Sequence, residues 1–360
     1  MIKLPFEKFF YERVSRSGDS LIIGGQFLPF DEYLDFDPPI GIIQVRNLVQ
    51  AAEAHISLTG AACPAQLGAL AFAAGATRAL DPYFPIIRLL NPEQIDNFYR
   101  LLGKLMRHPR LNIRLLGENH VDLTPRLPLD SRAIIAGHLA ELFFFREDIL
   151  ERLLSTTRHI RLYPTTRAFT QDGGVAGGDY NPSGECIQLL LSRLYEGFSQ
   201  PTPGVAPFLH EFGHMLDHFD ASTARMGGSR GLLPGLSPED GAIYRPNARR
   251  NFLEGKRLEL ERYQRRLNNQ FTPNDPLPIG HPYVFQNNSE FIAGYLEMFF
   301  RNPHYFAKHN PQLYESFVET FGHDPRLAWE TDYAHYINDN QTFYLSGQRP
   351  WPTGLTVPDQ

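Results

Sequence analysis

The stretch Pro207-Phe208-Leu209-His210-Glu211-Phe212-Gly213-His214-Met215-Leu216-Asp217 decides how this chain is read. Residues i and i+4 of a helix project from one face, so His210 and His214 can share one Zn2+. Glu211 follows the first imidazole and points beside that ion. A carboxylate there can take a proton from water as the water attacks a carbonyl. Phe208, Leu209, Phe212, Met215 and Leu216 make the rest of the helix apolar, as a helix that carries a site inside a core must be. The plainer alternative is a core helix with two histidines on a polar stripe.

Two imidazoles leave a catalytic zinc one protein ligand short. His218 lies one more turn along, but three ligands on consecutive turns of a straight helix lie almost in line. Asp220 would need the chain to turn back at a glycine, and that position is Asp217. The third candidate is a glutamate on a later helix. Residues 287–300, NNSEFIAGYLEMFF, read as a capped helix whose first acid is Glu290, with Glu297 seven residues on and on nearly the same face. Glu290 equally suits the role of a first-turn acid favoured by the helix dipole. Glu254, Glu259 and Glu261 fall in a charge-rich stretch that reads as solvated.

Working outward, residues 125–128 make a joint. After it a long helix is expected from Asp130 or Ser131 to about Leu154, with Ile134, Ile135, Leu139, Leu142, Phe143, Ile149 and Leu153 as its apolar stripe. A strand over 159–163, a glycine turn over 173–178, a strand over 185–191 and a helix over 205–219 opening near Pro207 follow. That order is α+β, a small sheet beside a central helix. Upstream, residues 21–30 read as a strand or a hairpin around Gly24-Gly25, 44–54 and 92–106 as helices, and 111–116 as a strand. Nothing in residues 1–129 groups acids, histidines or glycines in a chemical pattern, so a scaffold or substrate-positioning role is expected there.

Composition sets the outer bounds. The chain has 360 residues, 42% apolar and 21% charged, with a formal charge of −6. Such a chain buries a sizeable core as one large domain or two smaller ones. A mildly acidic balance argues against a general nucleic-acid binder. Cys63 and Cys186 form neither a disulfide framework nor a CxxC pair, which fits a reducing compartment. The first 18 residues lack the apolar run of a secretory signal. The uncharged stretch between His55 and Arg78 holds Pro64 and Gln66 and reads as buried helix rather than a membrane span. A cytoplasmic location without membrane association is therefore expected, with export by a signal-independent route left open.

The two segments HEFGHMLD (residues 210–217) and NSEFIAGYLEMFF (residues 288–300) together resemble the gluzincin metallopeptidases. The likeness is to the catalytic domain of anthrax-toxin lethal factor and its relatives and to the Mlc titration factor A peptidases, and it spans residues 130–325. The resemblance implies a zincin-like metallopeptidase domain of α+β class. In it, a small mixed sheet offers an edge strand over the HExxH helix, and a C-terminal helical subdomain follows. The implied division is an N-terminal region over 1–129, a catalytic domain over 130–345 with an insertion over 221–280, and a tail over 346–360.

Carried over residue by residue, the resemblance implies that His210, His214 and Glu290 bind one Zn2+ per chain and that Glu211 is the general base. Tyr283, seven residues before Glu290, would stabilise the oxyanion of the tetrahedral intermediate. Asp217 would orient a zinc-bound imidazole. Gly177, Gly178, Asp179 and Tyr180 would belong to an edge strand that pairs with an extended peptide. Two departures stand out. His214 and Glu290 are 76 residues apart, longer than in lethal factor, and the extra length, Ala221–Gly280, holds a Gly/Pro loop (227–235) and a basic helix (249–266) that is expected to be solvated, with a lid, a specificity element or a regulatory insert as the alternatives. Gly294 stands where the lethal-factor pattern often repeats an acid. The implied activity is zinc-dependent hydrolysis of a peptide or protein substrate. The alternatives are a catalytically weak zincin-fold protein that binds a peptide or protein regulator, and a toxin-like exported metalloprotease.

Overall fold

The computed structural model describes residues 14–17, 20–23, 26–29, 84–127, 129–174, 177–195, 206–272, 274–329 and 331–358. The expected helix over 44–54 and the uncharged stretch below Arg78 lie outside them. The chain divides into two compact units. The first takes Met1–Phe144, Thr157–Asp179 and Cys186–Gln200; the second takes Phe145–Thr156, Tyr180–Glu185 and Pro201–Gln360.

In the first unit, strands β1 (Val14–Ser17), β2 (Ser20–Ile23) and β3 (Gln26–Pro29) form an antiparallel meander, in which Ile23 pairs with Gln26. A second sheet has the order β4-β5-β7-β6, formed by β4 (Leu111–Leu115), β5 (Arg158–Tyr163), β6 (Gly178–Asn181) and β7 (Cys186–Leu190). β4, β5 and β7 are parallel. Their register aligns Ile113, Ile160 and Ile187 in one row and Leu115, Leu162 and Leu189 in the next. All six are buried, and the near-continuous apolar run of β7 is what a central strand covered on both faces requires. Burial also pushes the Cys186 thiol up to about 12, far from the thiolate that redox chemistry needs. Helix Pro92–Met106 opens with a capping box on Asn91 and packs on helix Leu129–Phe143. The Phe84 ring covers Gly137 so closely that a Cβ there would sit 2.2 Å from it.

The long helix expected over 130–154 is two helices, Leu129–Phe143 and Glu147–Leu153. The break falls at Arg146, which leaves helical geometry (φ −137°, ψ 52°). Its buried guanidinium is forked onto Asp148 (2.8 and 3.0 Å) and also donates to the carbonyls of Thr320 and Ile243. A guanidinium out of water must satisfy its five donors, and the chain departs from the helix at that residue. The short helix Thr166–Gln171, capped by Thr165, goes unannounced by any apolar period.

The second unit is helical and aromatic. Helix Asn288–Arg301 runs through its centre, with every residue from Phe291 to Arg301 buried. Phe299 meets Tyr314, Phe317, Phe321 and His323, and Phe306 meets Tyr295, Tyr314 and Phe317. The basic helix expected to be solvated is instead a core element. Helix Pro246–Leu267 buries Ala248, Phe252, Leu253, Gly255, Lys256, Glu259, Tyr263 and Arg266. It lies against helix Pro311–Phe321 so tightly that a Cβ on Gly255 would come within 2.5 Å of the Leu313 nitrogen. Glu259, expected on a solvated face, is fully buried. Its carboxylate accepts from Ile279 N–H (2.9 Å), the Tyr295 hydroxyl (2.6 Å), Arg262 (2.6 Å) and Asn310. Dense Arg and Glu in sequence concealed a face whose charges are paired inside.

Lys256 is buried as completely. Its ammonium donates to Asn288 Oδ1 (2.9 Å) and Gly231 O (3.3 Å) and lies over the rings of Phe252 and Phe291. Burial lowers its pKa to about 7, against the charge of Asp217, which raises it.

Two expectations follow. Glu259→Ala removes the acceptor of four donors and should cost about 3–5 kcal/mol in urea denaturation, whereas exposed Glu254→Ala should be near neutral. The unfolded chain binds more protons at Lys256 than the folded one between about 7 and its ordinary value of 10.5. Stability should therefore rise with pH across that window, and Lys256→Met should flatten the rise in a pH series of melts.

Candidate active site

The HExxH helix spans Pro207–His218 and begins, as the sequence suggests, with proline in its first turn. Phe208, Leu209, Phe212, Met215 and Leu216 are all buried. Gly213 faces helix Asn288–Arg301, where a Cβ would lie 2.6 Å from Ala293 Cα. Only a glycine lets the two backbones approach so closely. The consequence is a juxtaposition of side chains 80 residues apart. His210 Nε2 is 3.2 Å and His214 Nε2 is 3.4 Å from the same oxygen of Glu290, Oε2. One donor atom from each of the three lies within 4.8 Å of the other two.

The opposite edges of the imidazoles are held separately. His210 Nδ1 is 3.5 Å from Glu297 Oε2, and His214 Nδ1 is 2.8 Å from Ser289 Oγ. Glu297 also accepts the N–H of Ala206, the residue that opens the HExxH helix. With protons on the two Nδ1 atoms, both Nε2 lone pairs converge on the space beside Glu290. That is a donor set suited to a divalent zinc ion: two neutral imidazoles, one carboxylate, and outer partners that fix the tautomers. Burial works against the charge on His210, but hydrogen bonds to Glu290 and Glu297 raise its pKa to about 10. Burial likewise opposes the Glu290 carboxylate, and the two imidazoles overcome it, holding Glu290 well below the usual carboxylate range.

Tyr283 sits on the one-turn helix Pro282–Phe285. Phe285 anchors that turn by stacking on Tyr263, centroids 4.1 Å apart. Val284 fills the notch left by Gly294, where a Cβ would be 2.4 Å from Val284 Cγ1. The glycine that departs from the lethal-factor pattern thus makes room for the turn that carries Tyr283. The Tyr283 ring is 41% exposed, and its hydroxyl donates to Glu290 Oε1 at 2.8 Å. Burial and the Glu290 charge raise its pKa, which keeps the phenol a proton donor. Glu211 is buried next in sequence to His210, and its charge bears on both His210 and Tyr283.

Asp217 lies elsewhere than its expected place beside an imidazole. Its Oδ1 accepts Gly231 N–H at 2.6 Å, and the imidazole Nδ1 atoms meet Glu297 and Ser289 instead. Asp220 caps its own turn through Ser222 and Thr223, and His218 Nδ1 meets Gly227 O, so neither joins the cluster. The two-turn spacing of Glu290 and Glu297 hinted that both acids serve one face. Ser289 carried no signal beyond its adjacency to Glu290. Of the expected edge-strand residues, Gly177, Gly178 and Asp179 belong to the first unit and Tyr180 to the second. Gly177 has φ +84°, reason enough for glycine, and its carbonyl accepts Leu190 N–H. Tyr180 is buried with its ring 5.2 Å from that of His218.

Among the described residues no helix is long and apolar enough to cross a membrane. No curated protein matches the chain. A family model described as glucose-regulated metallo-peptidase M90 matches residues 83–322, two thirds of the chain. The match takes in the HExxH helix, Tyr283, Glu290 and the whole 221–280 segment. The matched model is that of the M90 family and does not bear on the expected likeness to lethal factor. With a match of that extent over a His/His/Glu cluster, the chain belongs to the M90 family of metallopeptidases.

Proposed function

We propose that this metallopeptidase is a gluzincin-type zinc peptidase, with His210, His214 and Glu290 holding one Zn2+ and Glu211 acting as general base. The observation that carries the reading is the convergence of both imidazole Nε2 atoms on one Glu290 oxygen, with the Tyr283 hydroxyl on the other. Zinc bound there supplies Lewis acidity, which acidifies water and polarises a carbonyl. Glu211 receives the proton from the attacking water and passes it to the leaving amine. Tyr283 donates to the oxygen on which charge develops, a task served by a phenol whose pKa is raised and whose hydroxyl already points at the site. Glu297 and Ser289 keep the imidazoles in the ligating tautomer. Asp217 supports the site indirectly through Gly231.

The substrate in this reading is a peptide or protein, with Gly177 and the β6 residues Gly178, Asp179 and Tyr180 proposed to pair with an extended backbone. We propose a cytoplasmic enzyme that requires neither nucleic acid nor membrane, open to control by a protein regulator. We also propose residues 1–129 as a positioning region that precedes the catalytic domain.

Elemental analysis of protein never exposed to chelator should find about one zinc per chain. Metal that stays absent after incubation with zinc would overturn the site. Glu211→Gln should keep the zinc and lose about 10²–10⁴-fold in turnover of a peptide-library digest. Unchanged turnover would remove Glu211 from the mechanism and favour a binding protein. Tyr283→Phe should lower kcat about 10²-fold with little change in KM.

A further inference from the structure

The C-terminal segment past the family match is built into the site. Residues 351–356 run along the chain between Tyr283 and Glu290 and bond to it residue by residue. The Thr353 hydroxyl donates to Phe285 O (2.6 Å), and Gly354 N–H donates to Gln286 O (3.1 Å). Thr356 meets Asn288 twice: its N–H donates to Asn288 Oδ1 (3.1 Å), and Asn288 Nδ2 donates to its hydroxyl (2.8 Å). Two further contacts pin the segment to the core. Trp351 O accepts from the hydroxyl of Tyr263, the ring on which Phe285 stacks, and Leu355 is buried. The approach at Gly354 admits no side chain, since a Cβ would be 2.5 Å from Gln286 O.

What these bonds hold is specific. Phe285 ends the turn that presents Tyr283, Asn288 precedes Ser289, which meets His214, and Glu290 comes next. The seven-residue tether between Tyr283 and Glu290 is thereby fixed at Phe285, Gln286 and Asn288, leaving little freedom in the placing of either end. Asn288 is also the residue to which buried Lys256 donates. Lys256 bonds to Gly231 O in turn, and Gly231 N–H bonds to Asp217 on the HExxH helix.

We propose that residues 351–356 are a positioning strap of the metal site, which sets Glu290 and Ser289 against the two imidazoles through Asn288. The proposal rests on the His210/His214/Glu290 reading given above. Outer partners of metal ligands typically contribute ten- to a hundred-fold in metal affinity, so the strap is detectable without any substrate.

The test uses full-length protein, zinc affinity measured by competition with a chromophoric chelator, and the visible spectrum of the cobalt(II)-loaded form. Gly354→Ala should lift the strap off Gln286. Thr356→Val keeps the shape of the side chain and removes the acceptor for Asn288. Both should weaken zinc binding about tenfold and alter the cobalt spectrum, and Thr356→Ser should restore both readouts. Urea midpoints measured without metal identify a variant that has lost its fold, and Thr356→Val, the milder change, then carries the test. Wild-type affinity and spectrum in Thr356→Val, or equal losses in Thr356→Val and Thr356→Ser, would overturn the strap while leaving the site intact. A wild-type chain that binds neither zinc nor cobalt would overturn the site reading and the strap with it.

Discussion

The contact on which the site depends is one without a side chain. Gly213 lies between the two histidines of the HExxH motif and against Ala293, three residues beyond Glu290. Removing both side chains but one methyl brings the helices close enough for a single carboxylate oxygen to reach two imidazoles. A wider spacing would leave two histidines on one helix and an acid on another, each solvated by itself. The apolar faces around this point supply the force that holds it closed. Phe208, Leu209, Phe212, Phe291, Ile292 and Leu296 are all buried, each with about 1.5–3 kcal/mol of transfer free energy behind it.

A second absence of bulk works in the same direction. Gly294 admits Val284, and Val284 with Phe285 seats the turn that lifts Tyr283 toward Glu290. Charged groups then complete the support from behind. Glu259 and Lys256, one turn apart on the long helix, face inward and bond to different partners: Glu259 to Ile279, Tyr295 and Asn310, Lys256 to Gly231 and Asn288. Desolvating such groups is costly unless each is met by several partners. Here the partners come from the loops that hold Gly231 and Ile279, from the helix starts at Asn288 and Asn310, and from Tyr295 in the central helix. The charges therefore tie those segments to the long helix in addition to the hydrophobic packing around them.

The chemistry was more legible in sequence than the architecture that serves it. HExxH declares itself because helical spacing is local, and the paired motif around Glu290 brought that acid within view. The outer partners were not legible in the same way. Ser289 and Glu297 acquire their meaning only once Gly213 meets Ala293, a contact between segments 80 residues apart. The long helix was misread because local charge density does not reveal which charges are paired inside. Lys256 and Glu259 look like any solvated Lys and Glu until Asn288, Tyr295 and Asn310 are brought to them. The break at Arg146 was hidden for the same reason, since the apolar stripe runs through it and the carbonyls that draw the guanidinium away lie at Ile243 and Thr320. The antiparallel pair β2–β3 and helix Pro92–Met106, by contrast, rest on neighbours in sequence and appear where expected.

The separation between the two halves of the site also orders events in time. Closing the 76-residue span from His214 to Glu290 costs chain entropy that grows with the logarithm of its length, and contacts of such long range form slowly. The span is not slack: it contains helix Pro246–Leu267, whose partner, helix Pro311–Phe321, lies beyond Glu290. The long helix therefore finds its packing partner only in a segment that follows Glu290 in the chain. During synthesis the two histidines emerge early and stay an incomplete pair. The nascent chain thus passes through most of its length before the His210/His214/Glu290 cluster can come together.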